Sequence, residues 1–352
     1  MIDYQSEFKQ KLMILILSII VLPLVTIIYF GYESKTIKTN KYIYIDESTI
    51  VNLRGTIREI KISKDEKIAY VIAASRGVYI VDIQNPLKPR LISQFKYFKN
   101  SYDKSRSLEL LEEKKILFVK DAQAGIYSID IENLSEPKLL VSYNIQEQMY
   151  DFCISKNMNY IYLSTENSIK VLDIENLDEI KTVAKFNTDK KYYDIVEVND
   201  ELLYLLSSKG IDILDTSSIK NMKIVGSYIT LGEAKKITLS FDKTHAFLSS
   251  GYSGVEIVDI ANKFNPKPLG IHKSSGIVEN TIASKDPRSI YLFNKNLLEI
   301  VDITDPDRSK LIQKVSINNT KKAKVWDIEL SQKSNVVYVA NGIGGIKIIV
   351  LK

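Results

Sequence analysis

Acidic and polar side chains recur at one position of this chain in a way that could assemble a site. The short segments around Tyr70, Phe118, Tyr162, Tyr204, Phe247, Tyr291 and Tyr338 can be placed in register with one another. The position that then starts the preceding strand holds Glu59, Ser107, Asp151, Asp194, Lys236, Asn280 and Asp327. Around one opening, the four carboxylates among these would offer hard oxygen ligands to a cation or a polar molecule. Each could equally bond the backbone of an adjacent turn, as short polar side chains often do. Other chemistry is thinly supplied. His245 and His272 are the only histidines, which excludes a multi-histidine metal site. Cys153, the single cysteine, sits in the apolar DFCIS and reads as a small hydrophobe rather than a nucleophile. The glycines of NGIGG at 341–345 lack the following helix that a phosphate loop requires. We expect no cofactor, no metal and no catalytic residue.

A second set of residues points to recognition. The loops that enter these strands carry Tyr97, Lys99, Arg106, Lys191, Tyr192, His272, Lys324 and Trp326, a basic and aromatic rim on one face. Such a rim suits an acidic protein surface or an anionic glycan. The net charge of +5 is spread without a basic run, so no nucleic-acid partner is expected.

The elements that must position these residues follow from a repeated phrase, an apolar run closing on aspartate. It reads VYIVDIQNP at 78–86, IYSIDIENL at 126–134, IKVLDIENL at 169–177 and IDILDTSSI at 211–219. VEIVDIANK at 255–263, LEIVDITDP at 298–306 and a truncated IKIIVLK at 346–352 complete the series. The aspartates Asp82, Asp130, Asp173, Asp215, Asp259 and Asp302, with Val350 in the seventh place, are spaced by 48, 43, 42, 44, 43 and 48 residues. That period is one four-stranded propeller blade. The strands are short apolar runs rather than alternations, as burial on both faces requires. Each aspartate is expected to shape the turn after it. Gly77, Gly125, Gly210, Gly254 and Gly345 stand where a tight hairpin needs positive φ. The seventh unit lacks its fourth strand, and residues 49–53 are expected to supply it and close the ring.

Ahead of the repeats, residues 12–30 hold nineteen residues without a charge, long enough to cross a bilayer as a helix. They end without a small-residue cleavage site, so an uncleaved anchor is expected rather than a signal peptide. The chain therefore divides into a cytoplasmic tail (1–11), a transmembrane anchor (12–30), a linker (31–48) and an all-β seven-bladed β-propeller (49–352).

The phrase VYIVDIQNPLKP and its echoes resemble the LVIVD-repeat proteins of bacteria and archaea, over about residues 50–352. The resemblance implies a β-propeller at the cell surface or envelope and is silent on chemistry. Copies three and four lack the proline of the phrase, which puts their turns in question. The resulting expectation is a membrane-anchored extracytoplasmic binding or scaffolding propeller, single-pass and without catalytic activity. The alternative is a propeller hydrolase or lyase using a cation at the channel mouth.

Overall fold

The computed structural model describes residues 45–74, 76–96, 105–121, 125–294, 297–317, 325–331, 333 and 335–351. The expected tail and anchor, with Tyr97, Lys99 and Lys324, lie outside the described residues. Among those described, no helix is long and apolar enough to cross a membrane.

Seven four-stranded antiparallel sheets follow one another along the chain. Six are contiguous, and each strand pairs with the next in sequence. In blade 1 these are Thr56–Ile62, Ile68–Ala74, Gly77–Asp82 and Arg90–Phe95. The first strands of neighbouring blades touch one another in order right round the molecule, from blade 1 to blade 7 and back to blade 1. The seventh sheet combines Asp327–Leu330, Val336–Ala340 and Ile346–Leu351 with the N-terminal strand Ile45–Val51. That closing strand begins earlier than the expected 49–53, since Ile45 and Glu47 still face Leu351 and Val350. Asn52 and Leu53 lie beyond its end.

The core is divided. Seven apolar clusters are present, one at each junction between adjacent blades. Tyr70, Ile72 and Val78 of blade 1, for example, meet Leu108, Leu117 and Val119 of blade 2. Each fully buried aliphatic side chain contributes about 1.5–3 kcal/mol relative to exposure. This two-sided burial explains why the strands read as continuous apolar runs.

All six repeated aspartates close a turn. Their Oδ1 atoms accept the backbone N–H two residues on, at 2.8–3.0 Å: Gln84 to Asp82, Glu132 to Asp130, Glu175 to Asp173, Ser217 to Asp215, Ala261 to Asp259 and Thr304 to Asp302. Asp173 and Asp215 make this turn without the proline, so the carboxylate rather than proline defines it. These turns form one face of the ring, the turn face. Ile45 pairs with Leu351 at that end, so the chain enters the ring there. The opposite loop face carries the five glycines, with φ between +78° and +137°.

Candidate functional site

The loop face is built from a signal inside the repeated phrase. Its second residue, within an otherwise apolar run, is Tyr79, Tyr127, Lys170, Asp212, Glu256, Glu299 and Lys347 in blades 1 to 7. In six blades this side chain anchors the loop entering its own blade. Tyr79 donates its hydroxyl to the Arg54 carbonyl at 2.9 Å, and Lys170 meets Glu147 at 2.7 Å. Asp212 accepts from the Tyr192 hydroxyl at 2.6 Å and the Lys190 ammonium at 2.7 Å. Glu256 accepts from the Leu231 N–H at 3.0 Å, Glu299 from the Ser274 hydroxyl at 2.6 Å, and Lys347 donates to the Ile317 carbonyl. The residue is tyrosine, lysine, aspartate or glutamate according to the blade, so the loops are held by more than one kind of contact.

A second regularity positions the channel. One residue bulges immediately before each expected ring position. Arg58, Arg106, Tyr150 and Glu279 fall at register shifts. Tyr193, Lys235 and Trp326 donate their N–H to the same residue that faces the next position. A bulge turns the strand and re-aims the side chain after it. Two aromatic contacts arise among the bulged residues: the Arg58 guanidinium lies 3.7 Å above the Trp326 ring, and Tyr150 meets Tyr193 edge-on at 5.7 Å.

The seven expected ring residues occupy equivalent register positions, each facing the residue two beyond the aligned aromatic. Their carboxylates bind neighbouring blades. Asp151 accepts the Ile195 N–H at 3.0 Å, Asp194 the Ile237 N–H at 2.6 Å and Asp327 the Ile60 N–H at 3.2 Å, each from the next inner strand. Asn280 donates to Asp327 at 3.2 Å, and Lys236 approaches it at 3.8 Å. Among the described residues no three His, Cys, Asp or Glu side chains are placed to share a metal ion. Five ring residues (Glu59, Ser107, Asp151, Asp194 and Lys236) line a cavity of about 590 Å³ together with Lys61, Glu109 and Lys120.

The cavity is charged and crowded. Lys61 lies 3.9 Å from Glu59 and 3.6 Å from Glu109. Enclosure by protein pushes the Glu59 carboxyl up to about 8, with Lys61 opposing and Asp327 reinforcing. Asp194 is also pushed up to about 8, first by enclosure and then by Asp151. Glu329, one turn of the strand further in, rises to about 7 mainly through enclosure. The Cys153 thiol is pushed well up for the same reason, consistent with a packed rather than a reactive sulfur.

The expected rim is only partly a rim. Tyr192 is buried at 1% exposure and His272 at 6%. Tyr192 turns inward to reach Asp212, and His272 bonds Ser309 at 3.1 Å through Nδ1. Enclosure lowers the pKa of His272, with Glu299 opposing. Neither presents a surface to a partner. Lys191 stays outside and pairs with Glu166 at 3.0 Å. Trp326 remains 40% exposed. Arg106 falls in the strand Ser105–Leu111. The residues that the expectation missed are Ile229, Leu231, Tyr252 and Ile343, exposed on the loop face beside Tyr193.

The LVIVD-repeat family model matches residues 55–96 and 115–145, which are blade 1 and the last three strands of blade 2. The chain carries LVIVD repeats. No curated protein matches it. Among solved structures, this chain is similar to the β-propeller domain of Myceliophteria thermophila Cps50 (Swd1). The TM-score is 0.69 at 11% identity, over 88% of this chain and 99% of that one. At that identity the likeness is one of fold. The aspartate turn extends to all six complete blades, beyond the two that the LVIVD-repeat model matches.

A pH dependence follows from Asp194. Its carboxyl is raised in the folded chain to about 8, above about 3.9 in the unfolded one. The unfolded state therefore loses its proton first, and this contribution to stability is complete below about pH 4 and lost as pH rises through about 8. Asp194→Asn keeps an oxygen for the Ile237 N–H and removes the titration. Its melting temperature is expected to gain on the parent by roughly 2–6 °C between pH 5 and pH 9. A difference that does not change with pH in thermal unfolding would refute the assignment.

Proposed function

We propose that the chain is a membrane-anchored, extracytoplasmic binding or scaffolding propeller that recognises a protein or an anionic glycan through its loop face and carries out no bond chemistry. One observation carries this reading: the two faces are unlike. The turn face repeats one hydrogen-bonded turn in six blades. The loops of the opposite face differ in sequence, are held in six blades by tyrosine, lysine, aspartate or glutamate, and expose Tyr193, Ile229, Leu231, Tyr252 and Ile343. Exposed large apolar side chains on a face whose loops differ mark an interaction surface, whereas Phe241 and Phe264 stand exposed among the repeated turns of the other face. The anchor reading comes from the uncharged segment 12–30.

Spheroplasts carrying a photo-crosslinking residue at Tyr252 test this reading against the same residue at Phe264, which is exposed beside a turn of the opposite face. A higher-mass adduct is expected from position 252 and none from 264, and external protease should degrade it. Equal adducts from both positions would overturn the assignment of the face. Full protection from protease would overturn the placement outside the cytoplasm.

A further inference from the structure

One sector of the loop face holds apolar side chains in water by means of a buried charge. Ile229, Leu231 and Tyr252 are 80%, 65% and 85% exposed. Their backbone is fixed. The Glu256 carboxylate, buried between blades 4 and 5, accepts the Leu231 N–H at 3.0 Å and the Tyr228 hydroxyl. Thr230 closes the loop with a bond from its hydroxyl to the Gly232 carbonyl at 2.7 Å. Gly232 lies so near the 250–254 turn that a Cβ there would stand 2.9 Å from Ser253 Oγ. The loop and the turn carrying Tyr252 therefore form one rigid presentation. Ordering a loop through a buried carboxylate only to expose two aliphatic side chains is costly unless something covers them.

Beside these residues lies a groove of about 600 Å³, lined by Lys209, Ile229, Leu231 and Glu233 among others. That volume accepts a few side chains of an extended segment. The charge around it is uneven. Lys209 lines the groove; Lys235, which also lines the central cavity, donates its N–H to the Ser249 carbonyl just before the 250–254 turn, and the Lys273 backbone runs beside Gly254. All three lysines are exposed, against Glu233 as the exposed acid of the groove. Lys190 and Asp212 neutralise each other at 2.7 Å.

We propose that this sector, between blades 4 and 5, binds an extended acidic segment of a partner protein, whose apolar side chains cover Ile229, Leu231 and Tyr252 while its carboxylates meet Lys209, Lys235 and Lys273. The proposal rests on the loop face being the binding face and narrows it to one sector and one class of partner. Its rigidity favours such a partner, because little loop ordering is left to offset binding.

The test uses the full chain in detergent solution and a phage-displayed library of random 12-residue peptides. Selected peptides are expected to combine Leu, Ile or Phe with Asp and Glu. They should bind at least tenfold more weakly to Leu231→Ser, and to the double variant Lys209→Glu, Lys235→Glu. These are surface changes, and unchanged thermal unfolding would confirm that the fold is kept. Neutral or basic selected peptides, or binding indifferent to both variants, would overturn the proposal. So would Leu231-dependent self-association in sedimentation, or Leu231-dependent binding to phosphatidylglycerol vesicles without peptide selection. Crosslinking to a protein from Trp326 but not from position 252 would sink this sector while leaving the loop-face reading intact.

Discussion

A chain lacking Ile45–Val51 is expected to melt at least about 10 °C below the parent and to aggregate on unfolding. The closing strand is the sole link between the two ends of the repeat array within the seventh sheet, paired from Ile45↔Leu351 to Val51↔Ile346. Without it, the strand Ile346–Leu351 presents an unpaired edge, which recruits other chains. Val51 also leaves the apolar cluster between blades 7 and 1, where it packs beside Ile346, Ile348 and Ile57. The carbonyl of Val51 stands where the hairpin at Gly345 closes, 2.1 Å from the position of a Cβ. The deletion therefore loosens a turn as well as an edge. Ile50→Thr is the control, since Ile50 is exposed and β-propensity is retained. Circular dichroism during heating reads both variants, and a deletion melting within about 2 °C of the parent would mean that the ring does not depend on its closing strand.

Gly125→Ala is expected to cost about 3 kcal/mol or more, whereas Gly251→Ala should cost about 1 kcal/mol. Both glycines have positive φ, but they differ both in conformation and in the space around a Cβ. Gly251 lies at φ +57°, a left-handed value that other residues adopt, and its Cβ would have no neighbour closer than 4.0 Å. Gly125 lies at φ +128°, outside that region, and its Cβ would stand 1.9 Å from the Tyr143 carbonyl oxygen. The hairpin must then pull the third strand away from the fourth, and Ile126 leaves its cluster with Phe118 and Phe152. Denaturant titration of the two variants makes the comparison. Equal losses would show that neither the φ of Gly125 nor the close Tyr143 carbonyl sets a special requirement for glycine there.

Much of the scaffold was legible because its signals are local and repeated. The aspartates form the turns expected of them, and the five hairpin glycines take positive φ, since both effects involve only atoms a few residues apart. The ring register was legible too, because the aromatic of each second strand provides an internal ruler. The function of the ring carboxylates was not, since Asp194 bonds Ile237 of another blade and sequence spacing cannot show which backbone will lie opposite. Tyr192 and Tyr193 show the same limit at single-residue scale. The bulge sends one inward to Asp212 and leaves the other exposed, and nothing in a pair of tyrosines says which. The polar second residue of the phrase was visible throughout as an interruption in an apolar run. Its role is not visible there, because the partners of Asp212 and Glu256 lie in loops 20 to 25 residues upstream.

The division of the apolar interior into layers between blades has a further consequence for how such a chain can change over generations. The apolar side chains have no common centre, so an apolar substitution in one blade disturbs at most the two layers that flank it. In six blades the entering loop is fastened by a residue of its own blade, so loop and fastening can drift together while the neighbours stay as they were. The architecture therefore lets seven small surfaces be revised one at a time, and new specificities can arise on this face without the fold being renegotiated.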